Sequence, residues 1–318
     1  MAVSPFPNNH PYLLYQFLPV LSRRRFVLEK KQSYKGILLI ILSAFCFAWM
    51  NAFVRMAGDL PSVQKSFFRN AVALVIAALT LLRERKDFHF PKEGMGFLIL
   101  RATFGTIGIL CNYYAVDHLV LSDASMLNKM SPFFTILFSW LLLKEKLKPA
   151  QAAAVLTAFG GSLLIIRPSL NFSDFSASLA GLCGGMAAGA AYAMVRILGQ
   201  KGVSKTFIVL FFSGFSCLVT LPFLLFDYHP MTWVQLLLLL GAGLAAAGGQ
   251  FSITAAYCYA PAKEISVYDY SQIIFATSIG FLLFGEIPDL WSFIGYAVII
   301  LAAVGMFWYN NIYHKETT

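Results

Sequence analysis

The chain has 318 residues, of which 58% are hydrophobic and 12% charged, with a formal net charge of +9 and a mean hydropathy of +0.70. A soluble domain carries about twice that share of charge, so the composition excludes an ordinary soluble enzyme and points to a lipid bilayer. The five cysteines (Cys46, Cys111, Cys183, Cys217 and Cys258) stand singly within apolar stretches. That spacing fits neither a zinc site nor a redox motif.

In chain order, residues 1–33 come first. They hold Pro5, Pro7, Pro11 and Pro19, the cluster Arg23-Arg24-Arg25, and Lys30-Lys31. No small-residue cleavage site follows a short apolar core, so the stretch reads as a basic, disordered cytoplasmic arm. Ten apolar segments follow, near 36–54, 62–82, 94–115, 122–143, 149–166, 177–198, 206–226, 232–256, 263–284 and 290–309. A spanning helix needs about 20 such residues. The expected fold is therefore an all-α integral membrane protein of ten transmembrane helices. It divides into a first five-helix repeat (34–168), a second (175–310) and a tail (311–318).

The basic charge is a topology signal. With the amino terminus inside, the arm and the inner loops hold Lys35, Arg83, Arg85, Lys86, Lys92, Lys144, Lys146, Lys148, Arg196, Lys201, Lys205, Lys263 and Lys315, while the opposite side keeps Arg55, Lys65 and Arg167. This is the asymmetry of the positive-inside rule, with both termini cytoplasmic. It argues against nucleic acid as a partner.

Two stretches share one plan. Asp123-Ala124-Ser125 leads through an apolar run to Glu145, with Pro149 beyond; Glu264-Ile265-Ser266 leads likewise to Glu286, with Pro288 beyond. One offset superimposes Ser125 on Ser266 and Glu145 on Glu286. Five spans per half is an odd number, so the two halves must enter the bilayer from opposite faces, as inverted repeats. Gly181, Gly184, Gly185 and Gly189 in one span, and Gly241, Gly243, Gly248 and Gly249 in another, mark close helix packing. Pro132 and Pro222 lie inside spans and are expected to kink their helices, each a candidate hinge.

The five-plus-five arrangement and the paired runs Ser-Pro-Phe-Phe-Thr-Ile-Leu-Phe-Ser-Trp-Leu-Leu-Leu-Lys-Glu (131–145) and Ile-Ile-Phe-Ala-Thr-Ser-Ile-Gly-Phe-Leu-Leu-Phe-Gly-Glu (273–286) carry a family likeness. The chain resembles the EamA-type branch of the drug/metabolite transporter superfamily over roughly residues 34–310. The resemblance implies a multi-pass carrier of small organic metabolites in the inner or plasma membrane, with a central cavity between its halves.

Glu145 and Glu286 each end a span just before the next helix begins, where a carboxylate can accept from that helix's free amides. Both are read as structural. Ionisable residues within spans are costly and are functional candidates. Four stand out: Arg69, Arg101, Lys129 and Asp269. At ~1.5 Å per residue, Arg69 and Lys129 lie roughly 10 Å from the outer ends of their spans. Arg101 and Asp269 sit at comparable depth from the inner face and are expected to neutralise each other. Arg69 and Lys129 would then face an anionic group of the substrate. The repeat offset sets Asn128 against Asp269 and Lys129 against Tyr270. Asn112, Tyr113, Gln250, Tyr268, Tyr270 and Gln272 complete the candidate substrate site, with Trp49, Asn51 and Tyr192 behind them.

The function read from these residues is a secondary transporter of a small organic metabolite with an anionic or zwitterionic group, amino acids and derivatives favoured, working by alternating access. Coupling to protons or a counter-substrate stays open, and Asp269 is the one mid-span carboxylate. No cofactor and no metal are expected. Efflux of cationic or amphipathic drugs is the alternative, and it would require an acidic cavity. An intramembrane enzyme would need a convergent catalytic set, whereas His10, His89, His118, His229 and His314 fall in the arm, loops or tail.

Overall fold

The computed structural model describes residues 11–84, 94–143, 149–166, 172–259 and 266–315. Among them every regular element is helical. Helices α1 (Pro11–Met56), α2 (Ser62–Glu84) and α3 (Met95–His118) are long and continuous. The fourth segment is split into α4 (Leu121–Asn128) and α5 (Ser131–Leu143), and α6 (Pro149–Ile166) follows. The second set opens with α7 (Phe172–Gln200), α8 (Lys205–Phe226) and α9 (Trp233–Tyr259). Its fourth segment is also irregular: a 3-10 turn (Ser266–Tyr270), α10 (Ser271–Ile279) and a π turn (Gly280–Phe284). Helix α11 (Leu290–Lys315) closes the bundle.

Among the described residues, seven helices are long and apolar enough to cross a membrane, among them Tyr34–Met56, which is the apolar part of α1. The other three expected spans are α6, which is short, and the two broken segments. Breaks shorten the uninterrupted helix, and so the criterion of length fails where the polar residues lie. Residues 11–33, expected to be disordered, continue α1 as helix. Leu, Arg, Lys, Glu and Gln dominate the second half of this stretch and are strong helix formers.

Helices from the two sets alternate in space. The closest neighbours are α1 with α9, α3 with α7, α2 with α8, and α6 with α11. Exchanging each helix of the first set with its counterpart in the second leaves this list of pairs unchanged. Small residues permit the approach. A methyl group added at Gly108 of α3 would lie 3.4 Å from the Gly184 carbonyl of α7, and one at Gly184 would lie 3.3 Å from the Asn112 amide. At such crossings backbone meets backbone with no side chain between.

One end of the bundle is strapped by polar contacts. Arg55 on α1 donates to the carbonyls of Leu119 (2.5 Å) and Val116 (3.3 Å), and it forms an ion pair with Glu286. Glu286 in turn accepts from the Leu121 amide at 3.0 Å. This corrects the expectation for Glu286: its partner is the first amide of α4 in the other half, not the helix that follows it. The following helix is served by Asp289, which accepts from the Ser292 amide at 2.8 Å. Gly285, with φ of 66°, turns the chain left-handed and lets the strap reach across. Glu145 lies outside the described residues. Nearby, Lys65 is fully buried and pairs with Asp117 at 2.6 Å.

Candidate functional site

The chain leaves its helical course at equivalent places in the two halves. In the first, Lys129 and Met130 separate α4 from α5. Pro132 has no amide proton and disfavours helix in the residue before it, so it belongs in a first turn. Pro132 therefore does not kink a continuous span, as the sequence suggested; the break lies two to three residues earlier, at Lys129 and Met130. Helix α7 covers that break through its glycines. A methyl group at Gly185 would sit 2.5 Å from the Leu127 carbonyl, and one at Gly189 would sit 2.7 Å from the Ser131 carbonyl. Thr135 Oγ1 adds hydrogen bonds to the carbonyls of Ser131 (2.8 Å) and Gly189 (3.2 Å). In the second half the same role falls to the 3-10 turn that carries Asp269. Pro222, by contrast, is an exposed residue within an uninterrupted α8, remote from the cavity lining.

Between the breaks lies a cavity of about 60 Å³. Of the residues predicted from sequence, Arg69, Arg101, Asn112, Tyr113, Asn128, Lys129, Gln250 and Gln272 line it, together with Asn51 and Tyr192. Tyr268, Asp269 and Tyr270 do not. Tyr268 packs edge-on against Phe307, and Tyr270 against Phe133. Asp269 is wholly buried behind Lys129, whose Nζ donates to Asp269 Oδ1 at 2.7 Å.

This overturns the expected pairing of Arg101 with Asp269. The acid belongs to Lys129, and it is the two arginines that have no carboxylate among the described residues. Both breaks project their residue toward the centre from opposite halves, which brings Lys129 and Asp269 together. Helix depth alone, the basis of the sequence argument, carries no information about facing direction.

The two arginines share one aromatic ring. Arg101 stacks over Phe212 with its guanidinium carbon 4.1 Å from the ring centroid, and Arg69 lies 5.8 Å from the same centroid. Their guanidinium carbons are thus within about 10 Å of each other, an arrangement that cation–π attraction supports on both sides. Gly105, one turn beyond Arg101, makes room: a side chain there would collide with the Arg101 guanidinium and the Phe212 ring. Arg101 Nη2 donates to Gln250 Oε1 at 3.0 Å. Arg69 Nη1 donates to Asn70 Oδ1 at 2.5 Å, and Asn70 donates to Ser66 Oγ at 3.2 Å. Both Nε atoms are buried without a partner. So is Asn112 Oδ1; Asn112 Nδ2 is used on Asn51 Oδ1 at 3.1 Å. Charged donors and neutral acceptors are thus left open around one cavity.

Phe212 is one of the lining residues that sequence reasoning missed, with Phe47, Met50 and Ile109 among the others. It is one of 30 phenylalanines, and nothing in the sequence distinguishes it. Gly105 was missed for the same reason.

The sequence pattern of the EamA-like transporter family matches residues 34–167 and again 175–308. The chain belongs to the EamA-like transporter family. As an EamA protein it is a multi-pass membrane transporter, not an enzyme. Relatives include the pseudopaline exporter CntI of Pseudomonas aeruginosa, 32% identical over 85% of this chain and 95% of its own. Human solute carrier family 35 member G1 is 29% identical over 92% of this chain and 86% of its own. An uncharacterized transporter of Helicobacter pylori is 27% identical over 85% and 93%. A solved structure shares the fold with a TM-score of 0.61 at 14% identity, covering 87% of this EamA chain and 96% of its own.

Proposed function

We propose that this EamA protein is a secondary carrier for a small organic metabolite bearing an anionic or zwitterionic group, with amino acids and their derivatives favoured. One observation carries the reading: Arg69 and Arg101 flank Phe212 in the central cavity with no carboxylate opposite them among the described residues, while the charge of Lys129 is already met by Asp269. The cavity is net positive. A buried cation left in that state is costly, and a visiting anion offsets the cost. Carboxylate oxygens suit the guanidinium donors, and a substrate ammonium would find the open acceptor Asn112 Oδ1. A carrier of cationic drugs needs a cavity of the opposite sign.

The carrier works by alternating access between two inverted five-helix halves that cross the membrane ten times. The paired helix breaks, the exchange symmetry of the helix contacts and the doubled family match support this. The Arg55–Glu286 strap ties the halves together at one end, as the closed gate of a rocking carrier would. The charge distribution supports both termini in the cytoplasm, and the likeness to a bacterial exporter supports the plasma membrane.

Reconstitution into proteoliposomes tests the reading. Uptake of labelled amino acids, nucleotides and organic cations is compared in one panel. Saturable uptake of acidic or zwitterionic compounds is expected. Preference for permanent organic cations would sink the proposal.

A further inference from the structure

Lys129 and Asp269 form an ion pair in which the partners differ in access. Lys129 lines the cavity, whereas Asp269 is 0% exposed and sits behind it. Each stands at the helix break of its own half, so the pair is also a contact between the halves. Lys129 Nζ occupies Oδ1 at 2.7 Å, while Oδ2 has no donor. The titratable groups that face Asp269 from other elements are Tyr192 on α7 and Tyr257 on α9, with Tyr270 on its own turn. The Tyr257 and Tyr270 hydroxyls are buried and without partners. Helices α1 and α11 also pack against this turn. In their membrane-length parts, charged residues occur only near the α1 ends, at Lys35 and Arg55. Tyr192 also stands beside Arg101 and Arg69.

The geometry points to Asp269 as a proton-accepting coupling residue: it holds Lys129 in the empty carrier, and takes a proton when an anionic cargo draws Lys129 into the cavity. This rests on the anion-binding reading above and extends it. The cation that Lys129 supplies is the sole one in contact with Asp269 among the described residues. Once the ammonium turns to the cargo, the carboxylate is buried among phenols with nothing to balance it, a state that buried ionised groups avoid. The balance is simple. The carboxylate and one proton from water become a carboxylic acid, and the ammonium keeps its charge and changes partner. The acid can then donate within its phenol cluster. A singly charged anion therefore crosses with one proton, in the same direction and with no net charge. Flow runs from the acidic side to the less acidic one. A sodium ion is the weaker occupant, because two phenols and one carboxylate give it few oxygen ligands.

Infrared difference spectra of the purified full chain in lipid at neutral pH test the chemistry without a substrate. K129M removes the ammonium as a cargo would. The C=O stretch of a protonated carboxylic acid is expected in K129M and absent from both wild type and K129M/D269N. K129Q serves if K129M does not fold. A folded Lys129 variant without that band, or with a band that survives D269N, overturns the proposal. In parallel, a mixture of the proteinogenic amino acids is added to weakly buffered wild-type protein, and binding and pH are recorded together. About one proton taken up per bound molecule is expected from the one-site exchange. Binding with no proton uptake overturns the coupling and leaves the anion-binding reading standing. Failure of the mixture to bind counts against that reading instead, and the infrared result still decides the role of Asp269.

Discussion

In the proposed reading, Arg101 is the residue on which recognition turns most directly. Its charge is met by a neutral amide, Gln250, and by the face of Phe212, so an arriving carboxylate is its first ionic partner. Replacing it with glutamine should lower uptake efficiency by about tenfold or more, the loss of at least one charge-assisted hydrogen bond. Lysine at the same position should recover only part, because it keeps the charge but loses the planar fork and the ring stacking. Initial rates in proteoliposomes measure both, and a glutamine variant with unchanged kinetics would remove Arg101 from the site. A different residue makes the contrast. The Tyr296 hydroxyl donates to Asp123 Oδ1 at 2.5 Å, joining α11 to α4 away from the cavity. Tyr296→Phe should cost about 2 kcal/mol of stability, as for a hydrogen bond to a charged acceptor. Thermal unfolding in detergent should show the loss while uptake stays near wild type.

At the scale of elements, helix α7 is shaped by what it must pass. A methyl group at Gly189 would lie 2.6 Å from Phe134 Cβ, 2.7 Å from the Ser131 carbonyl and 2.9 Å from the Thr135 amide, whereas one at Gly160 of α6 meets nothing within 4 Å. Gly189→Ala should therefore destabilise by about 1–3 kcal/mol through overpacking. Gly160→Ala should be neutral or stabilising by up to about 1 kcal/mol, since alanine is the better helix former. Equal melting temperatures for the two variants would contradict this account of the break. The sequence showed these elements unevenly. Long apolar runs marked the seven uninterrupted spans, because the cost of burying a polar backbone in lipid forces such composition on them. In sequence the two irregular segments read as helices: Pro132 suggests a kink, and Tyr268, Asp269, Tyr270 and Gln272 stand only as site candidates. Which way each break aims its residue was not legible. Lys129 meets Asp269 because of local backbone geometry at Lys129 and in the 3-10 turn, and no pattern of residue types records that direction. The same limit hid Phe212, whose role comes from position and not from type.

For the whole molecule, the strap at Arg55 and Glu286 and the pair at Lys129 and Asp269 both join one half to the other, at one end and at the centre. The proposed rocking of the halves would break the first. Glu286→Gln weakens the ion pair and the support of the Leu121 amide together, so the population should shift toward the state open at that end. A shift of about 1.4 kcal/mol would raise its share up to tenfold. A cysteine introduced at Ser62, in a background free of native cysteines, reports it through its rate of modification by a membrane-impermeant thiol reagent. Faster labelling in the glutamine variant is expected, and an unchanged rate would show that the strap is not a gate. The central claim concerns the sign of the cavity, and a matched pair of cargoes tests it most directly. Uptake of an amino acid transported in the panel is compared with uptake of its methyl ester, which removes the anionic charge at little change in size. The account predicts that the ester loses most of the uptake; an ester carried as well as the acid, or better, would contradict it.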